Sequence, residues 1–117
     1  MALSKKKRAA QYKDLDLDVR SEIADLFRLL GDPSRLGIVY ACLGEVVSAG
    51  DIARMLKISP SLTSHHLRLL KVARLVRSKR KGKQIFYTAA DAHVRRILFD
   101  MADYALEHEH EHEESSA

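Results

Sequence analysis

Ser59–Ala73 reads SPSLTSHHLRLLKVA, and the fold follows from how this stretch starts and where its side chains face. Ser59 offers an oxygen to the free N–H groups of a helix start, and Pro60 brings a fixed φ that suits the first helical position. On a 3.6-residue period Thr63, Leu67, Leu70 and Arg74 share one side. Ser61, His65, Arg68 and Val72 lie opposite, with Leu62 and Ser64 on the flanks. Small hydroxyls, an imidazole and a guanidinium on an outward face suit a helix laid against base edges and phosphates, and Leu62 suits a thymine methyl.

The residues before it supply a supporting helix. Ser48-Ala49-Gly50-Asp51 has the serine-then-acid spacing of a capping box, and Ile52, Ala53 and Leu56 give a short apolar face. Lys57-Ile58 leaves only a tight link into Ser59, so the two helices form a helix-turn-helix with the second as reader. After Ala73 the period changes. Leu75–Arg80, Lys81-Gly82-Lys83 and Gln84–Thr88 read as strand, glycine turn and strand, which makes a basic wing.

Charge points the same way. No Asp or Glu occurs from Ile52 through Ala90, whereas Arg54, Lys57, Arg68, Lys71, Arg74, Arg77, Lys79, Arg80, Lys81 and Lys83 all do. A surface of one sign repels itself, so a polyanionic partner is the economical explanation. A hairpin kept soluble by lysines alone would carry mixed signs. The expected DNA contacts are Ser61, Leu62, Ser64, His65 and Arg68 from the reader, and Arg77, Lys79, Arg80, Lys81 and Lys83 from the wing.

The run Ser64-His65-His66-Leu67-Arg68-Leu69-Leu70, with Leu75-Val76, Arg80-Lys81-Gly82 and Tyr87 after it, resembles the ArsR/SmtB family of winged-helix transcriptional repressors. Asp32-Pro33-Ser34-Arg35-Leu36 agrees with a further family pattern, and the resemblance extends from Val19 to Glu107. It implies a mostly α fold with a small β-hairpin: a winged helix-turn-helix of three helices, the reader, two strands and a last helix. It also implies a homodimer formed through the first and last helices, bound to an imperfect palindromic operator in double-stranded DNA near its own promoter.

The remaining composition sets bounds. A chain of 117 residues suits one domain, and its net charge of +4 understates its polarity. Acids gather at the C-terminus, and bases gather in the middle and at Lys5-Lys6-Lys7-Arg8. The single cysteine excludes an internal disulfide and suits a reducing cytoplasm; no apolar run or signal peptide indicates a membrane or export. Residues 1–14 read as a basic flexible tail, either solubilising or gripping phosphate. Residues 15–109 read as the winged-helix DNA-binding and dimerisation domain, and residues 110–117 as a His/Glu-rich tail.

Within that domain Val19, Ile23, Leu26, Phe27 and Leu30 recur at helical spacing, and Gly31 ends the helix. Asp32 caps the next helix and Pro33 opens it, with Leu36, Val39, Tyr40 and Leu43 on its buried face. Cys42 lies late in this helix. Relatives that sense sulfur oxidants or thiophilic metals use two thiols, and this chain has one, so Cys42 reads as a small buried hydrophobe.

The final helix, from Ala90 to about Glu109, carries an apolar stripe of Val94, Ile97, Leu98, Met101 and Ala105. By the resemblance, this stripe meets the same helix of a second protomer. The family's metal site there takes Asp-x-His from one protomer and His-x-x-Glu or His-x-x-His from the other. Asp91-Ala92-His93 matches the first half and Glu107 the last ligand, while Tyr104 stands at the remaining ligand position. Neutral tyrosine is a poor zinc ligand, which brings in His108 as a neighbouring candidate and His110 as a more distant one. Oxygen and nitrogen donors favour Zn(II), or Ni(II) or Co(II) if six-coordinate.

The expected function is therefore repression relieved by such a metal. Two alternatives stay open: a repressor of this family answering to another signal or to none, and a metal-storing or protein-interaction module. No nucleophile–base pair or glycine-rich phosphate loop suggests an enzyme. Asp91 also reads as a helix cap, His93 as an interface residue, and Glu107–Glu114 as a solvated tail.

Overall fold

The computed structural model describes residues 4–115 and the side chains of residues 4–109. In chain order the elements are α1 (Lys5–Tyr12), α2 (Leu17–Leu30), α3 (Pro33–Ala41), β1 (Val47–Ser48), α4 (Ala49–Leu56), α5 (Pro60–Val72), β2 (Val76–Lys81), β3 (Gln84–Ala89) and α6 (Ala92–Ser115). No helix among the described residues is long and apolar enough to cross a membrane.

Local chemistry sets the helix starts. Ser4, Asp16, Asp32, Ser48 and Ser59 each precede a helix, and each accepts a hydrogen bond from the backbone N–H three residues on. Only half of the expected capping box forms at α4. Ser48 accepts from Asp51 N–H, but the Asp51 carboxylate accepts from Arg54. The turn into α5 is made at Lys57, which takes a left-handed φ of 56° while Ile58 N–H donates to Ala53.

The sheet is antiparallel in the order β1-β3-β2. In the wing Val76 faces Ala89 and Lys81 faces Gln84, leaving Gly82-Lys83 as a two-residue turn. Gly82 has a φ of 64°, and Lys83 has no positive φ, the pattern of a type II′ hairpin turn. β1 adds Val47 opposite Tyr87.

The core joins Ile38, Val39 and Cys42 of α3, Ile52 of α4, and Leu67 and Leu70 of α5. Leu75, Val76, Ala89 and Leu98 close it from the wing and α6. Burying each large aliphatic side chain stabilises the fold by about 1.5–3 kcal/mol. Gly37 permits the α3–α4 packing: a Cβ there would lie 3.0 Å from Leu56 Cδ2. α6 is fastened by its own backbone, since Tyr40 Oη donates to the Leu98 carbonyl at 2.7 Å.

Several sequence expectations change. The segment read as a flexible tail contains α1, whose residues are all exposed. β1 was not expected. The terminal helix runs past Glu109 to Ser115, so the His/Glu-rich segment is helical over most of its length. Arg74 does not continue the inward face of α5: the helix ends at Val72 and Arg74 is exposed.

Two apolar faces stay open in the protomer. α2 buries none of its residues, and Val19, Ile23 and Phe27 face solvent. On α6 Leu98 is buried, whereas Ile97, Phe99 and Met101 are exposed. Between these helices lies a wholly apolar cleft of about 280 Å³, lined by Ile23, Phe27, Leu30, Val94 and Ile97 among others.

Candidate nucleic-acid interface

α5 divides cleanly. Thr63, His66, Leu67 and Leu70 are buried; Ser61, Leu62, Ser64, His65 and Arg68 are exposed. Thr63 Oγ1 donates to the Ser59 carbonyl at 2.9 Å, so the one buried hydroxyl is satisfied within the helix. Every residue expected to read DNA from this helix is therefore outside the core, held on a rigid element whose other side packs against α3 and α4.

His66 was not singled out in the sequence. It is only 5% exposed, and its ring meets Arg35 and Asp32 at the start of α3. Its spacing from Thr63 and Leu70, three before and four after, was the available signal. Burial lowers its pKa, and Arg35 and His65 act the same way, while Asp32 opposes them.

The wing cations are all exposed but do not share one face. Pairing sets Arg77, Lys79 and Lys81 on one side of the hairpin and Arg80 on the other, with Lys83 in the turn. Arg77 is also engaged within the protein: its Nη2 donates to the Ala90 carbonyl at 2.9 Å. Lys79, Arg80, Lys81 and Lys83 form no ion pair among the described residues.

Asp91 caps α6. Its Oδ1 accepts from His93 N–H at 2.6 Å and from Val94 N–H at 3.4 Å, and these bonds hold its pKa below the usual carboxylate value. The same oxygen lies 3.1 Å from His93 Nδ1. At the far end, His108 Nδ1 lies 3.0 Å from the Tyr104 carbonyl, and the two rings pack with centroids 4.1 Å apart. A carboxylate and a carbonyl only accept, so Nδ1 is the donor in both contacts and Nε2 is the ring nitrogen left without a protein partner.

Glu107 is exposed beside them, and His110 lies outside the described side chains. His93 and Glu107 are separated by about 21 Å of helix, so one protomer does not bring the two halves together. Among the described residues no three potential ligands cluster in one chain. Two carboxylates and two imidazoles are a suitable zinc donor set, but only if α6 of a second protomer runs antiparallel.

Cys42 is buried, and burial pushes its thiol up to about 11. It stays protonated and unreactive at neutral pH, as expected of a core residue.

Comparison with known proteins agrees with this geometry. Residues 32–78 match the profile of the bacterial regulatory proteins of the arsR family. The chain is 36% identical over 100 residues to a transcriptional repressor SmtB homolog of Synechocystis, covering 86% of this chain and 76% of that one. It is 32% identical over 87 residues to a cadmium resistance transcriptional regulatory protein, a CadC homolog, of Staphylococcus aureus, covering 74% and 72%. In structure it superposes with a TM-score of 0.71 on the homodimeric winged helix-turn-helix domain Mb0332 of Mycobacterium bovis, at 24% identity and 92% and 93% coverage.

Fold and comparisons together place the chain among the winged helix-turn-helix transcriptional regulators. The chain belongs to the ArsR/SmtB family of bacterial regulatory proteins.

Proposed function

We propose that this protein is a homodimeric repressor that holds an imperfect palindromic operator and releases it when a divalent metal binds between the two α6 helices. The observation that carries the DNA reading is the division of α5. Ser61, Leu62, Ser64, His65 and Arg68 are outward on a helix anchored by Thr63, Leu67 and Leu70. Ser and Arg side chains make base-edge contacts, and Lys79, Arg80, Lys81 and Lys83 add phosphate contacts from the wing.

The dimer is supported by the open apolar faces of α2 and α6 and the cleft between them, which a second copy would cover. Antiparallel pairing of α6 would set Asp91 and His93 of one protomer beside Glu107 and His108 of the other, twice per dimer by symmetry. The bound ion, Zn(II) first and Ni(II) or Co(II) next, would supply the positive charge that fixes one dimer geometry. Nδ1 contacts to Asp91 and to the Tyr104 carbonyl support this reading, because they turn both Nε2 atoms outward.

Tyr104 favours a second reading, in which the protein is a repressor of the same family that answers another signal. Operator affinity measured with and without Zn(II) or Ni(II) separates the two. Release by metal in the wild type, lost in His93→Ala, supports metal sensing; affinity unaltered by any metal removes it. A steep fall of affinity with salt tests DNA binding independently, and a weak, salt-insensitive association would instead indicate a storage or interaction module.

A further inference from the structure

Arg74 occupies a backbone position that arginine disfavours. It follows α5 with a φ of 63°. Its N–H donates to the Lys71 carbonyl at 3.0 Å and Leu75 N–H to the Leu70 carbonyl at 2.9 Å. That pair of bonds closes many helix ends and usually places glycine at the left-handed residue. Keeping a side chain there means accepting backbone strain, which directs attention to what the side chain does.

Arg74 lines a cleft of about 510 Å³ with Lys71, Arg77, Ser78 and Asp91, and it also borders a larger one whose lining includes Asp18, Glu22 and Asp25. Arg77 is held by the bond from Nη2 to the Ala90 carbonyl, and its other side-chain N–H donors have no partner among the described residues. Among the described residues no carboxylate lies within ion-pair distance of Lys71, Arg74 or Arg77. Asp91, the one carboxylate in the lining of the smaller cleft, is engaged in capping α6. Three cations and a hydroxyl thus share the concavity with a single carboxylate, which is bonded to the α6 N-terminus and pairs with none of the three.

The cleft is not on the DNA-reading end. Lys71 lies about 15 Å along the helix from Ser61. Arg77 sits at the base of the wing, about 13 Å along the strand from Lys81 at its tip.

We propose that Lys71, Arg74, Arg77 and Ser78 form a binding site for a small oxyanion of the phosphate type carrying two or more negative charges. The arginine forks suit a tetrahedral oxyanion, and the site joins the end of the reader, the base of the wing and the start of α6. A backbone phosphate of DNA offers the same chemistry, so the test includes both.

Inorganic pyrophosphate is titrated calorimetrically into the purified full-length protein at constant ionic strength. Wild type binds saturably, and Arg74→Gly weakens binding by about tenfold or more, as loss of a charge-assisted contact requires. Glycine suits the backbone there, so the melting temperature without anion stays level or rises, which excludes misfolding as the cause. Arg20→Ala, which removes equal charge from α2, leaves pyrophosphate binding unchanged. In a parallel arm, a mixed-sequence DNA duplex loses affinity with Lys83→Ala and keeps it with Arg74→Gly. The proposal is overturned if wild type shows no saturable binding, or if Arg74→Gly and Arg20→Ala act alike. It is equally overturned if Arg74→Gly weakens duplex binding while pyrophosphate binding is unaltered.

Discussion

Arg35 and His66 meet between the start of α3 and the middle of the reading helix, with Nη1 of Arg35 3.5 Å from Nδ1 of the imidazole. A guanidinium only donates, so Nδ1 accepts and Nε2 carries the proton, toward Asp32 Oδ2 at 3.9 Å. Arg35 Nε also donates to the Leu29 carbonyl at 2.7 Å. One arginine therefore ties the end of α2, the cap of α3 and the reader together, and the tie is made to a neutral histidine.

The pH dependence of stability follows. Burial, aided by Arg35 and His65, lowers the His66 pKa from 6.5 despite the pull of Asp32. The unfolded chain then binds the proton more readily than the fold does, so stability rises with pH across the window beneath 6.5 and is lost on acidification through it. Asp32 acts in a separate and lower window: its lowered pKa contributes stability that is lost only below 3.8. Melting temperatures of wild type should fall as pH drops from about 6.5 toward 5, and those of His66→Gln should fall less. Parallel curves for the two proteins would show that His66 is not the titrating group.

Arg68→Ala separates reading from folding. Arg68 is exposed and forms no ion pair among the described residues, so thermal stability should change by less than about 0.5 kcal/mol. Operator affinity measured by fluorescence anisotropy should drop by about 1–3 kcal/mol. Equal binding by mutant and wild type would place the reading face elsewhere.

Leu70→Ala tests the opposite side of the same helix. Leu70 is completely buried, so urea denaturation should show a loss of about 2–5 kcal/mol. A loss under about 1 kcal/mol would contradict the described orientation of α5.

In the wing, Gly82 holds a positive φ with open space around the position of a Cβ, so backbone strain alone determines the effect of Gly82→Ala. Chemical denaturation should report a loss of about 1–2 kcal/mol. An unchanged midpoint would mean that the turn relaxes to another type.

Tyr104→His examines the metal reading. Adding an imidazole at this α6 position should tighten Co(II) or Zn(II) binding by tenfold or more, by about 1.4 kcal/mol at least, followed through Co(II) absorption. Unaltered spectra and affinity in this variant would show that position 104 does not approach the ion.

Much of this architecture is written in short-range chemistry. Ser48, Asp32 and Ser59 mark helix starts because each side chain bonds its own backbone three residues on, with no help from the rest of the chain. Gly82 marks the wing for the same reason, and the outward placement of His65 and Arg68 follows from helical period alone. The residues that escaped notice depend on distant partners. β1 is two residues long, too short for any period, and exists because Val47 pairs with Tyr87. Arg77 looked like one more wing cation, but its guanidinium bonds Ala90, which only the return of β3 brings near.

By itself, the order of residues determined a winged helix and a basic segment from Ile52 to Ala90 without a carboxylate, because caps, periodicity and charge sign are properties of neighbouring residues. Tertiary structure decided that His66 is buried against Arg35, that Arg74 turns left-handed beside Lys71 and Arg77, and that the two ends of α6 stay apart within one protomer. Those outcomes depend on which surfaces meet, and a meeting between residues far apart in the chain leaves no local pattern to read.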